Sequence, residues 1–239
     1  MVALPARCWR FAGGYRVAVR APASYVDGTM SYPPPPRRVT DGAAALTLMA
    51  EHPFAHVFTS HGAQRVTRIP FVTDSQADRP VRLRGHVNAQ NPQAQGLDGA
   101  AVLVAFSGHA TYVSPNWRAD KTRGGTYDYE EVVVRGTARV VEGIEHFRAM
   151  IDDLSALIEP QYAEVAGYPV WQTSGAAPGY IERLIPHITQ FVVEIEGFEM
   201  VSKLHQQFPR EDRLSVAEHL SRCDRDSARA IAEKIRALP

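Results

Sequence analysis

The chain has 239 residues, of which 45% are hydrophobic and 22% charged, close to an ordinary globular domain and far from disordered, collagen-like or coiled-coil composition. Twenty-six Lys and Arg balance twenty-six Asp and Glu, and no basic run exceeds a pair, so charge gives no support to a nucleic-acid surface. Two cysteines, Cys8 and Cys223, exclude a thiolate zinc cluster and point to a reducing cytoplasm, while Arg, Gly, Asp or Pro breaks every apolar run short of a membrane span.

Residues 1–29 carry Arg7, Arg10, Arg16 and Arg20 against Asp27 alone, show no apolar periodicity and lack the apolar stretch of a signal peptide. They read as an extension outside the fold: either an over-extended reading frame, with Met30 the biological start, or a flexible arm. Pro33 to Pro36 form a short extended stretch, after which Thr40 or Asp41 caps a helix running to about Glu51 and stopped by Pro53. Short β-rich runs follow at Ala55–Thr59, Arg65–Val72, Val81–Val87, Ala101–Phe106 and Thr126–Val141, separated by clusters of Gly, Asn, Pro and Asp. Such close spacing predicts an antiparallel sheet or barrel and leaves no room for βαβ crossovers, which excludes a Rossmann domain. Ile144, Phe147, Ile151, Leu154 and Ile158 recur at helical spacing up to Pro160. A short helix at Pro178–Ile185, a strand at Thr189–Val201 and helices at about Glu211–Leu220 and Asp224–Leu238 complete the chain. The expected class is α+β, mainly β, with the barrel and its packed helices over 30–220 and a C-terminal helix over 221–239.

GxGxxG, the P-loop, HExxH and the nucleophile elbow are all absent. Polar residues concentrate instead at strand ends: Thr67-Arg68-Ile69-Pro70, Gly85-His86 through Asn88 to Asn91-Pro92, Tyr112-Val113-Ser114-Pro115 with Trp117 and Lys121, Thr126-Tyr127-Asp128-Tyr129-Glu130-Glu131, and Lys203-Leu204-His205-Gln206-Gln207.

With Glu51-His52-Pro53-Phe54-Ala55, these segments resemble the PaiB-type family of FMN-binding negative transcriptional regulators over about residues 30–220. The resemblance implies a split β-barrel of the pyridoxamine-phosphate oxidase type, a homodimer, and a planar cofactor held between the subunits. Three departures stand out. Where the regulators read Asn-His-x-Pro, this chain has Thr67-Arg68-Ile69-Pro70; Pro-Thr-Trp-Asn-Tyr becomes Gly125-Thr126-Tyr127-Asp128-Tyr129; Lys-Leu-Ser-Gln-Asn becomes Lys203-Leu204-His205-Gln206-Gln207. In this form the chain is similar to the haem-dependent piperazate synthases, a branch of the same family that closes N5-hydroxy-ornithine into a six-membered ring through an N–N bond.

That resemblance implies haem b, with FMN the alternative. A neutral imidazole can ligate iron, and Arg can hold a propionate bidentately. His205 is the expected iron ligand and His86 the runner-up; Arg68, His86, Asn88, Ser114, Trp117, Lys121, Lys203 and His205 form the expected cofactor set. Each has a plainer reading: Arg68 a surface ion pair, Asn88 and Ser114 turn residues, Trp117 core, Lys121 and Lys203 solvated, His205 satisfying the backbone. Glu130 and Glu131 are adjacent on a strand, so only one can line the pocket, as base or ammonium anchor. Tyr127 and Tyr129 share a face, and either can hydrogen-bond the leaving oxygen. The competing expectations are a flavin-binding regulator and a haem-degrading or haem-storing protein.

Overall fold

The computed structural model describes residues 37–59, 63–160, 162, 165 and 167–239, so the expectations for residues 1–29 and the proline run lie outside the described residues. Eight strands form one antiparallel sheet: β1 (Arg38–Val39), β2 (Phe54–Thr59), β3 (Arg65–Pro70), β4 (Val72–Gln76), β5 (Arg79–Asn88), β6 (Ala101–Val113), β7 (Thr126–Val141) and β8 (Ile188–Lys203). The order is β3-β2-β6-β7-β8-β5-β4, with β1 paired to β8. β3 also lies against β5, which closes the sheet into a split barrel. Gly85 is needed at that closure, because a Cβ there would sit 2.9 Å from the Phe71 ring.

The barrel core is the alternate-residue set read from strands: Ala55 and Val57, Val102, Val104 and Phe106, Val132, Val134 and Ala138, Phe191 and Val193. Two irregularities set which residues face inward. β6 carries one extra residue between Ser107 and Ala110, so the inward positions shift from Val104 and Phe106 to Thr111 and Val113. β7 and β8 slip at Arg135/Gly136, where a Cβ on Gly136 would lie 2.2 Å from the Glu194 carbonyl oxygen.

The helices whose bounds fall among the described residues and that flank this barrel are α1 (Gly42–Glu51), α2 (Ile144–Ile158), α3 (Tyr180–Leu184), α4 (Arg210–Ser221) and α5 (Asp226–Arg236). Asp41 caps α1 by accepting the Ala43 N–H at 2.9 Å, and the helix ends before Pro53 as its sequence requires. α2 lays Phe147 and Met150 over Val72 on the outside of the β4–β5 hairpin. α4 and α5 contribute Val216, Leu220, Ile231 and Ile235 to a second apolar cluster closed by Val113 and Leu204 of the barrel. Each buried Ile or Leu there contributes roughly 1.5–3 kcal/mol, enough to hold the helix pair on the sheet.

The expected run Arg65–Val72 is two strands, broken at Phe71, and the hairpin between β4 and β5 turns through Ala77 (φ 47°) and Asp78 (φ 58°). Positive φ at both central residues is the hairpin geometry usually marked by Asn-Gly, so Ala-Asp gave no signal. The sequence also stops β6 at Phe106, because Ser107-Gly108-His109 reads as a break where the strand only bulges.

Candidate cofactor site

β7 serves two opposite environments by alternation. Asp128 and Glu130 point inward beneath α4 and α5, whereas Tyr127, Tyr129, Glu131, Val133 and Arg135 point outward. The inner set is a polar layer. His205 and Asp128 are both 0% exposed and share a hydrogen bond between Nδ1 and Oδ2. His205 sits in the left-handed region at φ 62°, where a non-glycine residue is held only by its surroundings. The Phe208 ring stacks on the imidazole at 4.7 Å, and the Arg118 guanidinium covers Phe208 in turn, also at 4.7 Å. Arg118 donates to the carbonyls of Arg123 and Gly124, and Asp212 accepts the Ala119 N–H at 2.7 Å, so the loop between β6 and β7 is fastened to this layer.

Lys203 donates to Thr126 Oγ1 and to the Tyr127 carbonyl; burial holds its pKa below the ordinary lysine value despite the nearby Asp128 charge. Glu130 accepts from Ser202 Oγ at 2.9 Å and pairs with Lys234 of α5 at 2.5 Å. Burial alone lowers the Lys234 pKa, but the bonds and charges of Glu130 and Glu51 outweigh it and leave the ammonium stabilised.

His205, the expected iron ligand, is enclosed: Nδ1 is bonded to Asp128, Phe208 covers one face of the ring, and Nε2 is buried without a hydrogen-bond partner, so the ring ties the turn after β8 to the start of β7. His86, the second expected ligand, lies under α2 edge-on to Phe147 at 5.5 Å, and burial lowers its pKa. Lys203 is spent on the backbone, and Trp117 stacks on His219 at 5.5 Å against the second apolar cluster. Ser114 caps the turn Pro115–Trp117 by accepting the Asn116 N–H, and Asn88 accepts the Gln90 N–H. Lys121 is exposed in the loop before β7.

The outer face of β3, β2, β6 and β7 is different in kind. No helix among the described residues covers it, yet Phe54 (48% exposed), Phe58 (42%), Val66 (54%) and Leu103 (43%) lie on it. Contiguous exposed apolar surface on a sheet marks a place where something docks. His56 and Arg68 are cross-strand neighbours on this face, in register with Ala105 and Val133. Arg68 lies flat over Phe54 at 4.6 Å and donates Nε to the Phe54 carbonyl, which leaves guanidinium donors free for an anion. A groove of about 580 Å³ continues from here between Phe58, Arg65, Leu103 and Arg135. Apolar surface with an arginine rim fits a planar, anionic cofactor.

Farther along the same face, Glu131 lies beside Ser107 at 3.4 Å, then come Tyr129 and the edge-to-face pair of Tyr127 and Tyr112 at 5.8 Å. Of the adjacent glutamates, Glu130 points inward and Glu131 is the outward carboxylate. Tyr127 is six residues along β7 from Val133, which is paired through Ala105 to His56. At ~3.3 Å per residue the two patches are ~20 Å apart, so one chain does not bring Tyr127 to Arg68. His56, Phe58, Arg65 and Arg135 were missed by sequence reasoning. The available signal was Phe54-Ala55-His56-Val57-Phe58, in which both alternating sets are nonpolar or aromatic, unlike a strand with one solvated face.

A family model described as a putative FMN-binding domain matches residues 31–197, a stretch that stops before Lys203 and His205. An uncharacterized protein of Emericella nidulans is 26% identical over 219 residues, covering 80% of this chain and 86% of its own. Another, from Aspergillus fumigatus, is 29% identical over 216 residues, covering 71% and 81% respectively. Among solved structures, an FAD- and haem-binding protein of Mycobacterium smegmatis shares the fold with a TM-score of 0.51 and 15% identity, covering 70% of this chain and 73% of that one.

Proposed function

This chain belongs to the family of putative FMN-binding domains, and on that premise we propose that it is a homodimeric, haem-dependent piperazate synthase, closing N5-hydroxy-L-ornithine to L-piperazate and water. One observation carries the reading: Glu131, Tyr129 and Tyr127 line up on the open face that also holds the apolar, arginine-rimmed surface. A second subunit placed against that face brings the aromatic patch of one chain to the arginine patch of the other, which a separation of ~20 Å prevents within one chain.

In the reaction the α-nitrogen bonds to N5, the N5–oxygen bond breaks, and the two protons on the departing oxygen come from its own hydroxyl and, overall, from the amine, so no external oxidant or reductant is consumed. Haem, when bound, supplies the electron-deficient centre that weakens the N–O bond. Arg68 pairs with a carboxylate at the rim of the apolar surface. Glu131 holds the substrate's α-ammonium and takes the proton it must lose before the amine attacks. Tyr129 or Tyr127 donates a hydrogen bond to the leaving oxygen. Phe54, Phe58 and Leu103, exposed in the single chain, supply the apolar surface that a bound cofactor and a second subunit would cover.

A second reading is a flavin-binding regulator; the family match supports its flavin, and the same surface also suits an isoalloxazine ring and its phosphate. The absorbance spectrum of the isolated protein separates the two, a Soret band near ~400 nm against paired flavin bands at longer wavelength. Incubation of the haem-loaded protein with N5-hydroxy-L-ornithine, followed by mass analysis, is then expected to show loss of one water. Flavin tightly held with haemin refused defeats the synthase reading, and full haem loading without turnover replaces it with haem storage or degradation.

A further inference from the structure

The β6 bulge is wedged between α1 and β7. A Cβ on Gly108 would lie 3.2 Å from the Leu48 side chain and 3.2 Å from the Glu130 carbonyl oxygen, so the chain there has little room to spare. The next residue, His109, meets His52 at the end of α1, ring edge to ring face, with centroids 4.9 Å apart. Both imidazoles are half-buried, and neither ring is bonded to a carboxylate among the described residues.

Lys234 of α5 reaches the same place from a third side. Its ammonium pairs with Glu130 at 2.5 Å and lies 3.7 Å from Glu51, the residue before His52. The charges that reach His52 therefore come from every element packed around it: Glu51 of α1, His109 of β6, Glu130 of β7 and Lys234 of α5. One ammonium beside two carboxylates leaves room for a single further positive charge. A second, on a ring touching the first, is opposed by burial and by its neighbour, and Lys234 adds to the repulsion. Burial holds the His52 pKa below 6.5, the His109 charge adds to the lowering, and Glu51 and Glu130 oppose it.

We infer that the His52–His109 contact is a proton-sensitive joint, closed while at most one ring is charged and open when acidification charges both, which frees the β6 bulge from the end of α1. The open form binds more protons than the closed one, so opening gains as pH falls. The joint stands directly behind the outer face, because the bulge begins at Ser107, which lies beside Glu131 at 3.4 Å. Acid therefore loosens the strand that supports that face, while Ile231 and Ile235 keep α5 seated on the barrel. The device works in the same way whichever cofactor or substrate the face takes.

The test needs neither cofactor nor turnover. The Cε1 proton of His52 is titrated by NMR between about pH 8 and about pH 5 in the wild-type chain and in His109→Gln, which keeps a polar side chain and removes the charge. Amide exchange at residues 107–110, corrected for intrinsic rates, is compared at the two ends of that range in wild type, His52→Gln and His109→Gln. The His52 midpoint is expected to move up in His109→Gln. Protection at 107–110 is expected to fall at least ~10-fold on acidification in wild type and by less than ~3-fold in either variant. Circular dichroism at both ends separates local opening from unfolding, and if His109→Gln does not fold, the exchange comparison with His52→Gln carries the test. A His52 midpoint that stays put, wild-type protection that does not fall, or an equal fall in wild type and the folded variants overturns the inference.

Discussion

The two sides of β7 hold the same kinds of residue and use them in opposite ways. Inward, Asp128 and Glu130 are enclosed, Asp128 bonded to His205 and Glu130 to Ser202 and Lys234, and the result is a fastening between barrel, loop and C-terminal helices. Outward, one residue along the strand, Glu131 and the two tyrosines stand on a face that no helix among the described residues covers. A carboxylate whose partners are all supplied by its own chain has its chemistry consumed in folding. One beside a half-open apolar surface keeps it for a ligand. What separates structure from function here is strand parity.

The sharpest way to break that comparison is to remove a member of the inner layer. Asp128→Ala or His205→Ala is expected to cost ~3–5 kcal/mol in urea unfolding, because the remaining partner stays buried and unpaired. The double change Asp128→Asn with His205→Ser, the pair found in the regulator pattern, is expected to recover more than half of that loss, the signature of direct coupling. Additive losses would mean that the contact carries little.

Next in size is the contrast between adjacent glutamates. Glu131→Gln is expected to lower turnover of N5-hydroxy-L-ornithine by ~10²-fold or more with an unchanged melting temperature. Glu130→Gln is expected to do the reverse, losing ~1–3 kcal/mol as Lys234 forfeits its buried counter-charge, with turnover near wild type. If both variants melt like wild type and both lose turnover, the division between the two faces is wrong.

A smaller effect follows from His86. Its folded pKa lies below the ordinary value of 6.5 because burial disfavours the cation. The unfolded chain therefore binds more protons between that lowered value and 6.5, so stability rises with pH through this window and falls on acidification. Urea midpoints at several pH values are expected to show that slope, and His86→Phe is expected to flatten part of it, His52, also lowered by burial, accounting for the rest. The smallest effect belongs to an exposed pair, Arg82 and Glu194, whose side chains are 47% and 48% exposed; Arg82→Ala is expected to change stability by no more than ~1 kcal/mol.

Much of the fold is written locally. Asp41, Pro53 and the apolar positions of α1 and α2 delimit those helices in the text, and the short alternating runs separated by turn residues suffice for an antiparallel barrel. The strand-end motifs mark correctly where polar residues gather. They do not say which side of the sheet each one takes, and His205 shows the cost: an imidazole in a departing motif reads as a ligand until its partner Asp128, 77 residues earlier, is seen against it. His56 was passed over because a histidine in a strand has no pattern of its own; only the uncovered apolar face around it makes it unusual.

Composition and short-range periodicity thus determined the class and the helices, and the strand-end motifs carried the family likeness, because those depend on neighbours within a turn or two of chain. The tertiary structure decided the chemistry of each site residue. The extra residue in β6, the slip between β7 and β8, and the docking of α4 and α5 fix which side chains are enclosed and which remain open, and these long-range registers leave no local trace in the sequence.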